Sequence, residues 1–169
     1  MTSTLILGGA RSGKSQRAQM LTEAESPTCT FIATAEALDA EMAERIEHHR
    51  TQRGQVWVTI ESPLELPSAI RQAARDTRPI LVDCLTLWLS NLMHNHRDID
   101  LETKQLLESI DEIDNHIIFV SNEVGLGLVP DTPLGRAFRD AQGRLNQAVA
   151  AACDRVEFVV AGLPITLKG

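Results

Sequence analysis

A phosphate-binding motif near the amino terminus limits the fold of this chain more than any other feature. Residues 8–15 match the pattern G-x-x-x-x-G-K-[ST]. The motif consists of Gly8, Gly9, Ala10, Arg11, Ser12, Gly13, Lys14 and Ser15. Residues 4–7 before it suit a buried strand, and residues 15–23 after it suit a helix. A strand, a glycine-rich loop and a helix in this order predict a P-loop that binds a nucleotide.

The positions of the motif have distinct chemical roles in holding a phosphate chain. Gly8 and Gly13 permit backbone conformations that other residues resist, so successive N–H groups can turn inward toward an anion. The Lys14 ammonium suits the β- and γ-phosphates, and the Ser15 hydroxyl is a candidate Mg²⁺ ligand. The positive end of the helix adds to the attraction. The alternative, a glycine-rich turn that binds nothing, fits the flanking strand and helix less well.

Composition narrows the class of protein. We expect one nucleotide-binding domain over residues 1–169, a length that allows a real core. The net charge is −7 and there is no Lys/Arg cluster, which argues against nucleic-acid binding. No apolar run approaches the roughly 20 residues of a membrane span, and the amino terminus lacks the pattern of a secretion signal. Cys29, Cys84 and Cys153 lack metal-type spacing, which predicts buried reduced thiols and a cytoplasmic location.

Apolar segments alternate with helical segments along the whole chain. Strands are predicted at residues 4–7, 28–34, 55–60, 79–83, 116–120, 155–160 and 165–168, with Cys29 and Cys84 in apparent strands. Helices are predicted at residues 15–23, 37–53, 67–76, 85–92, 101–113 and 133–153. This alternation predicts an α/β fold, with a mostly parallel sheet flanked by helices on both faces.

Polar residues follow several of these strands, where α/β sheets bind ligands. Residues 79–83 end in Asp83, the Walker B pattern of an acid that holds Mg²⁺; the alternative is a helix cap. Thr34 and Glu36, with Ala35 between them, suit helix capping and nucleotide contact equally well. Residues 121–130 suit either a second substrate or phosphate, or a flexible connection.

Two adjacent histidines lie in the predicted helix at residues 37–53. His49 continues its apolar face, whereas His48 faces solvent. Arg45, Arg50 and Arg53 bring positive charge, so a histidine here is a candidate nucleophile toward a phosphate-bearing substrate. On the residues alone, a helix with one half-buried and one exposed histidine is the simpler interpretation.

Several ordered blocks together are more specific than the P-loop. The blocks comprise residues 8–15, 32–35, 45–50, 82–91, 121–127 and 143–147, in this order along the chain. This set resembles the bifunctional adenosylcobinamide kinase / adenosylcobinamide-phosphate guanylyltransferase family of cobalamin (vitamin B12) biosynthesis. The resemblance runs from Leu5 nearly to the carboxyl terminus. It implies a P-loop NTPase fold of RecA-like type and a homo-oligomer, with a trimer as one candidate.

The resemblance implies two reactions. A nucleoside triphosphate, ATP or GTP, phosphorylates the aminopropanol hydroxyl of adenosylcobinamide. GTP then donates GMP to that phosphate through a GMP–histidine intermediate, giving adenosylcobinamide-GDP and pyrophosphate. Given this family, we choose His49 as the nucleophile and His48 as a neighbour that orients or assists it. Lys14 and Mg²⁺ at Ser15 and Asp83 are expected to stabilise the leaving charge.

The remaining site assignments are candidates. Arg50 and Arg53 are candidates for phosphate or guanine binding, and Glu61 for the base, the ribose or the metal. Glu123 is a candidate contact or base for the cobinamide hydroxyl. A different enzyme interpretation is a plain P-loop small-molecule kinase, in which the histidine pair has no role. A nucleotide-gated binding module without turnover is the weakest of the three.

Overall fold

The computed structural model describes residues 2–36 and 56–169. Its strands are β1 (Ser3–Gly8), β2 (Cys29–Ala33), β3 (Trp57–Glu61), β4 (Ile80–Asp83), β5 (Ile117–Asn122), β6 (Arg155–Val160) and β7 (Leu163–Lys168). The helices in these two ranges are α1 (Lys14–Glu25), α2 (Leu66–Ala73), α3 (Leu85–His94), α4 (Ile99–Asp111) and α5 (Pro133–Ala152). The strands form one sheet in the order β3-β2-β4-β5-β1-β6-β7.

Strands β1 to β6 run parallel, and only β7, which pairs with β6, is antiparallel among the described strands. Parallel pairing brings their carboxyl ends to one edge of the sheet, which we call the carboxyl edge. The register sets Gly8 beside Asn122, and Asp83 beside Ala33. The P-loop and the polar strand ends therefore lie along the same edge.

The strands build a core on both faces because successive side chains point to opposite sides. Leu5, Val82 and Phe119 face a large cluster that includes buried residues of α2, α3, α4 and α5. Ile6 faces a smaller cluster that includes Ala18 of α1. Helices thus cover both faces, as the alternating pattern predicts.

Several expectations for single residues are settled by this fold. Residues 37–55, which contain the predicted histidine helix, lie outside the described residues. The prediction that Cys84 lies in a strand is wrong, because Cys84 is the N-cap residue of α3. The sequence offers Asp83 as an alternative cap for this helix. Cys84 is the cap, and Asp83 is the last residue of β4. All three cysteines are buried and unbridged, as predicted.

The position of β3 at the edge of the sheet leaves its apolar side chains partly exposed. Val58 of β3 is 44% exposed and Val56, just before β3, is 37% exposed, because β3 is the outermost described strand on its side of the sheet. In the ranges 2–36 and 56–169, no helix has both the length and the apolar character needed to cross a bilayer.

Candidate nucleotide-binding site

The P-loop joins the end of β1 to the start of α1. Gly13, just before α1, has a φ of +96°, in the left-handed region that glycine adopts without a steric penalty. Lys14 is only 9% exposed, and its Nζ donates a hydrogen bond to the carbonyl oxygen of Gly9 at 3.1 Å. The ammonium group is therefore held against the loop, where this motif binds phosphates.

The other motif residues divide between the surface and the interior of the loop. Ala10 and Arg11 are exposed, and Arg11 has a φ of +54°. Ser15 is half-buried in the first turn of α1. Ser12 is buried, and its hydroxyl oxygen has no hydrogen-bond partner. Ser15, the predicted Mg²⁺ ligand, therefore lies at the end of α1 that is nearest the loop.

The turn between β6 and β7 supports the P-loop from the side. The Gly162 N–H donates a hydrogen bond to the Ser12 carbonyl at 2.8 Å. A Cβ on Gly13 would lie 3.1 Å from the Gly162 Cα, and a Cβ on Gly8 would lie 2.7 Å from the Val159 carbonyl oxygen. Nothing in the local sequence signals this contact, because it joins residues about 150 positions apart.

Thr34 has a role that neither sequence interpretation anticipated. Its side chain is fully buried, and its hydroxyl donates to the Cys84 carbonyl at 2.7 Å and accepts from the Cys84 N–H at 2.8 Å. The Thr34 hydroxyl therefore binds the backbone just after Asp83, joining the ends of β2 and β4. These two hydrogen bonds use the only donor of the hydroxyl and one of its two acceptor positions. The helix that the capping interpretation assigns to Thr34 falls within residues 37–55, outside the described residues.

Lys14 and the end of β4 are electrostatic neighbours. Burial, followed by the adjacent Asp83 carboxylate, raises the pKa of the Cys84 thiol to about 11. The Lys14 ammonium acts on the same thiol with the opposite sign and lowers its pKa. The tertiary fold therefore brings the Lys14 ammonium near the carboxyl end of β4.

Helix α3 holds the two chain segments that leave β2 and β3. The Asn91 side-chain amide donates to the carbonyl oxygens of Thr34 at 2.8 Å and Pro63 at 3.0 Å. The Trp88 indole N–H donates to the Leu64 carbonyl at 2.8 Å. The sequence places both residues in a helix but does not predict these contacts. A side-chain hydrogen bond to a distant backbone carbonyl leaves no local sequence pattern.

A buried polar network fixes the end of β5. The Ser121 hydroxyl donates to the Asn146 side-chain carbonyl at 2.7 Å, and the Gln142 amide donates to Ser121 at 3.0 Å. The Thr86 hydroxyl accepts the Asn122 N–H at 2.8 Å. Buried polar groups need such partners, so the network links α3 and α5 to the strand beside the P-loop strand.

The remaining candidates lie farther along the carboxyl edge or outside the described residues. Ala35 and Glu36 are half-buried where the chain leaves β2. Glu61 ends β3, four strands from β1, which is roughly 19 Å at the usual strand spacing. That separation favours the base or ribose assignment for Glu61 over metal binding at the P-loop. The candidates His48, His49, Arg50 and Arg53 fall within residues 37–55 and lie outside the described residues.

The described site suits a Mg²⁺ ion that arrives with a nucleotide. Ser15 offers a hydroxyl and Asp83 a carboxylate, which are the oxygen ligands that Mg²⁺ prefers. Nucleotide-bound Mg²⁺ commonly takes one or two protein oxygens, and phosphates and waters complete its shell. Within the described part of the chain, no three His, Cys, Asp or Glu residues gather to hold a metal by themselves.

Solved structures share this fold at low sequence identity. The flagellar accessory protein FlaH from Methanocaldococcus jannaschii aligns with a TM-score of 0.57 and 12% identity, over 99% of this chain and 78% of that chain. The P4 protein from bacteriophage phi6, solved in complex with ADP, aligns with a TM-score of 0.50 and 16% identity, over 96% and 52%. The predicted P-loop NTPase fold with a mostly parallel sheet is confirmed.

Relatives named as bifunctional adenosylcobalamin biosynthesis proteins match almost the whole chain. The bifunctional adenosylcobalamin biosynthesis protein CobP of Pseudomonas aeruginosa is 50% identical over 98% of this chain and 96% of that protein. The corresponding protein CobU of Escherichia coli is 36% identical over 97% and 98%. The family model "Cobinamide kinase / cobinamide phosphate guanyltransferase" matches residues 4–167. The chain therefore belongs to the cobinamide kinase / cobinamide phosphate guanyltransferase family.

Proposed function

We propose that this enzyme phosphorylates adenosylcobinamide with ATP or GTP and then transfers GMP from GTP to adenosylcobinamide phosphate. The products of the second step are adenosylcobinamide-GDP and pyrophosphate. The family match over residues 4–167 carries this proposal. The preformed P-loop, with Lys14 hydrogen-bonded to Gly9, supports a nucleotide substrate in both steps.

In the kinase step, the substrate hydroxyl attacks the γ-phosphorus while the bond to the β-phosphate oxygen breaks. The Lys14 ammonium and the loop N–H groups stabilise the negative charge that develops on the leaving phosphate. Ser15 and Asp83 would hold Mg²⁺, which supplies further charge neutralisation when it is bound. Glu123, just beyond β5, is the candidate contact or base for the hydroxyl.

In the guanylyl transfer step, an imidazole nitrogen of His49 attacks the α-phosphorus of GTP and pyrophosphate leaves. A phosphate oxygen of adenosylcobinamide phosphate then attacks the same phosphorus, and the P–N bond breaks to regenerate the imidazole. The covalent intermediate divides one transfer into two displacements. His48 is the neighbour that orients or assists, and Arg50 and Arg53 are the candidates for phosphate or guanine binding.

Family membership favours this bifunctional enzyme over the plain P-loop kinase. The matching family description names both the kinase and the guanyltransferase. The relatives from Pseudomonas aeruginosa and Escherichia coli are likewise named bifunctional. A plain kinase would leave the adjacent histidines without a chemical role.

Assembly and location are part of the same proposal. A homo-oligomer, with a trimer as one candidate, is supported by the exposed apolar residues of the edge strand β7, where Leu163 is 70% and Leu167 61% exposed. An unpaired strand edge with apolar side chains commonly pairs with another chain. A cytoplasmic location is supported by three buried cysteines that form no disulfide.

Labelling of the protein by GTP tests the guanylyl transfer. Purified protein is incubated with Mg²⁺ and α-³²P-GTP and then separated by denaturing electrophoresis. We expect a label on the protein that is labile in acid, stable in alkali and absent from His49→Ala. A label absent from His48→Ala but present in His49→Ala would move the nucleophile by one residue. An unlabelled wild type that still phosphorylates adenosylcobinamide would establish the plain kinase instead.

A further inference from the structure

The segment between β5 and α5 exposes apolar side chains to an unusual degree. Leu126 is 82% exposed, Leu128 is 96% exposed and Val129 is 61% exposed. The two leucines are the most exposed large hydrophobic residues in the described part of the chain. We call residues 124–132 the apolar loop. Large apolar side chains that are exposed close together in the sequence are candidates for a binding surface.

The apolar loop begins beside the P-loop. The Glu123 N–H, one residue before the loop, donates to the Gly8 carbonyl at 3.1 Å. Gly8 is the first residue of the phosphate-binding motif. The chain therefore passes the first residue of the P-loop immediately before it enters the apolar loop.

Hydrogen bonds hold both ends of the apolar loop, and none of them involves its apolar side chains. The Glu123 carboxylate accepts the Gly125 N–H at 2.8 Å. At the other end, Arg136 Nη1 donates to the carbonyl oxygens of Pro130 at 3.0 Å and Asp131 at 2.8 Å. Polar contacts thus account for the course of the loop, but they do not account for the exposed leucines.

No other atoms pack closely against the backbone at Gly127, between the two leucines. A Cβ on Gly127 would meet no atom within 4 Å. Leu126 and Leu128 alternate with Gly125 and Gly127, so the loop offers apolar side chains without bulky neighbours between them. Such a surface suits a broad, flat ligand with an apolar face better than it suits a nucleotide, whose charged phosphates the P-loop holds.

We propose that the apolar loop binds the corrin ring of cobinamide, while the side chain that carries the hydroxyl reaches the phosphate site. This inference rests on the proposed function, which requires a large ring next to the P-loop. The corrin macrocycle has a broad hydrocarbon face and a polar rim of amide side chains. Removal of apolar surface from water favours binding, so Leu126 and Leu128 supply affinity for the ring.

A double variant tests the assignment through the two partial reactions. In Leu126→Ser/Leu128→Ser we expect the KM for adenosylcobinamide in the kinase step to rise about tenfold or more, with a smaller change in kcat. Self-guanylylation by GTP alone uses no corrinoid, so its rate is the internal reference for an intact P-loop. A wild type that neither phosphorylates cobinamide nor accepts GMP would contradict the proposed function and not this inference alone.

The matched control is Met20→Ser/Leu101→Ser on α1 and α4, where the two residues are 59% and 50% exposed. We expect this control to keep the wild-type KM for adenosylcobinamide. Sedimentation velocity of both variants reports their assembly. An unchanged KM in the loop variant overturns the inference. So does a KM that rises only together with dissociation of an oligomer, since the loop would then be a contact between copies of the chain.

Discussion

The side-chain amide of Asn91 donates a hydrogen bond to the backbone carbonyl of Thr34 at 2.8 Å. Thr34 lies two residues before Glu36, after which the chain continues into residues 37–55 with His48 and His49. Asn91 is 5% exposed, so this hydrogen bond is shielded from water. It holds the backbone near the point where the histidine-bearing segment begins.

Replacement of this amide should affect guanylyl transfer more than nucleotide binding. Asn91→Asp keeps the size of the side chain but sets a carboxylate oxygen against two carbonyl oxygens. We expect self-guanylylation to slow about tenfold or more, because small displacements of a nucleophile are costly. The affinity of the P-loop for GTP should change much less. Single-turnover labelling and equilibrium GTP binding measure the two quantities.

Asn115→Asp is the matched control for this prediction. The Asn115 amide also donates to two backbone carbonyls, those of Asp76 at 2.7 Å and Arg78 at 2.9 Å, but at the opposite end of the strands. We expect it to lose stability without a selective loss of guanylylation. Equal behaviour of the two variants would show that Asn91 only stabilises the fold.

Gly8 and Gly9 should respond very differently to the same substitution. A Cβ on Gly8 would lie 2.5 Å from the Ser12 Oγ and 2.7 Å from the Val159 carbonyl oxygen, whereas a Cβ on Gly9 would meet nothing within 4 Å. Overpacking of this kind costs about 1–3 kcal/mol. We expect Gly8→Ala to lower the free energy of unfolding by that amount and to weaken GTP binding. In urea denaturation, Gly9→Ala should have a free energy of unfolding close to that of the wild type. Equal losses of stability in Gly8→Ala and Gly9→Ala would contradict the tight packing at Gly8.

Glu157 should contribute stability that depends on pH. Its carboxylate is 1% exposed and accepts hydrogen bonds from Arg17 at 2.9 and 3.0 Å and from Arg155 at 2.7 and 3.1 Å. The Arg17 hydrogen bond lowers the Glu157 pKa in the folded protein. A lowered folded-state pKa gives stability that is present above the unfolded-state value, about 4.3 for Glu, and is lost as the pH falls through the folded-state value.

Glu157→Gln should therefore lower the free energy of unfolding by about 2 kcal/mol at pH 7, typical of hydrogen bonds to a charged group. The difference from wild type should shrink as the pH falls below about 4.3, because Glu157 of the unfolded chain then binds a proton that the native protein binds only at lower pH. Urea denaturation across this range measures both effects. Glu112→Gln is the surface control, because Glu112 pairs with Arg71 but is 54% exposed. A constant difference at all pH values would contradict the predicted ionisation of Glu157.

The three thiols should be inert in the native protein. Burial raises the pKa of Cys84 to about 11 and of Cys153 to about 12, and it also raises the pKa of Cys29. Only the thiolate reacts readily with maleimides. At pH 8 we expect mass spectrometry to find no modification by N-ethylmaleimide without urea and three modifications in urea. Rapid native labelling of Cys84 would show that the end of β4 opens.

Much of the fold was predictable because its signals are local. Residues 8–15 carry a contiguous motif, and the alternating strands and helices follow from apolar runs and helical periodicity. The acid at Asp83 was also predictable, since an apolar strand that ends in an acid is a short pattern. The role of Cys84 was not, because one residue decides whether it ends a strand or caps a helix.

The sequence alone determined the family, the P-loop, the α/β class and the two reactions to expect, since these depend on residues that are neighbours along the chain. Only the tertiary structure decided the strand order, the turn at Gly162 that supports the P-loop, and the burial of the Thr34 hydroxyl against Cys84. It also showed that Leu126 and Leu128, in the loop that follows β5, stay exposed. The physical reason is that hydrogen bonding and burial depend on which distant segments pack together, and no local pattern specifies that choice.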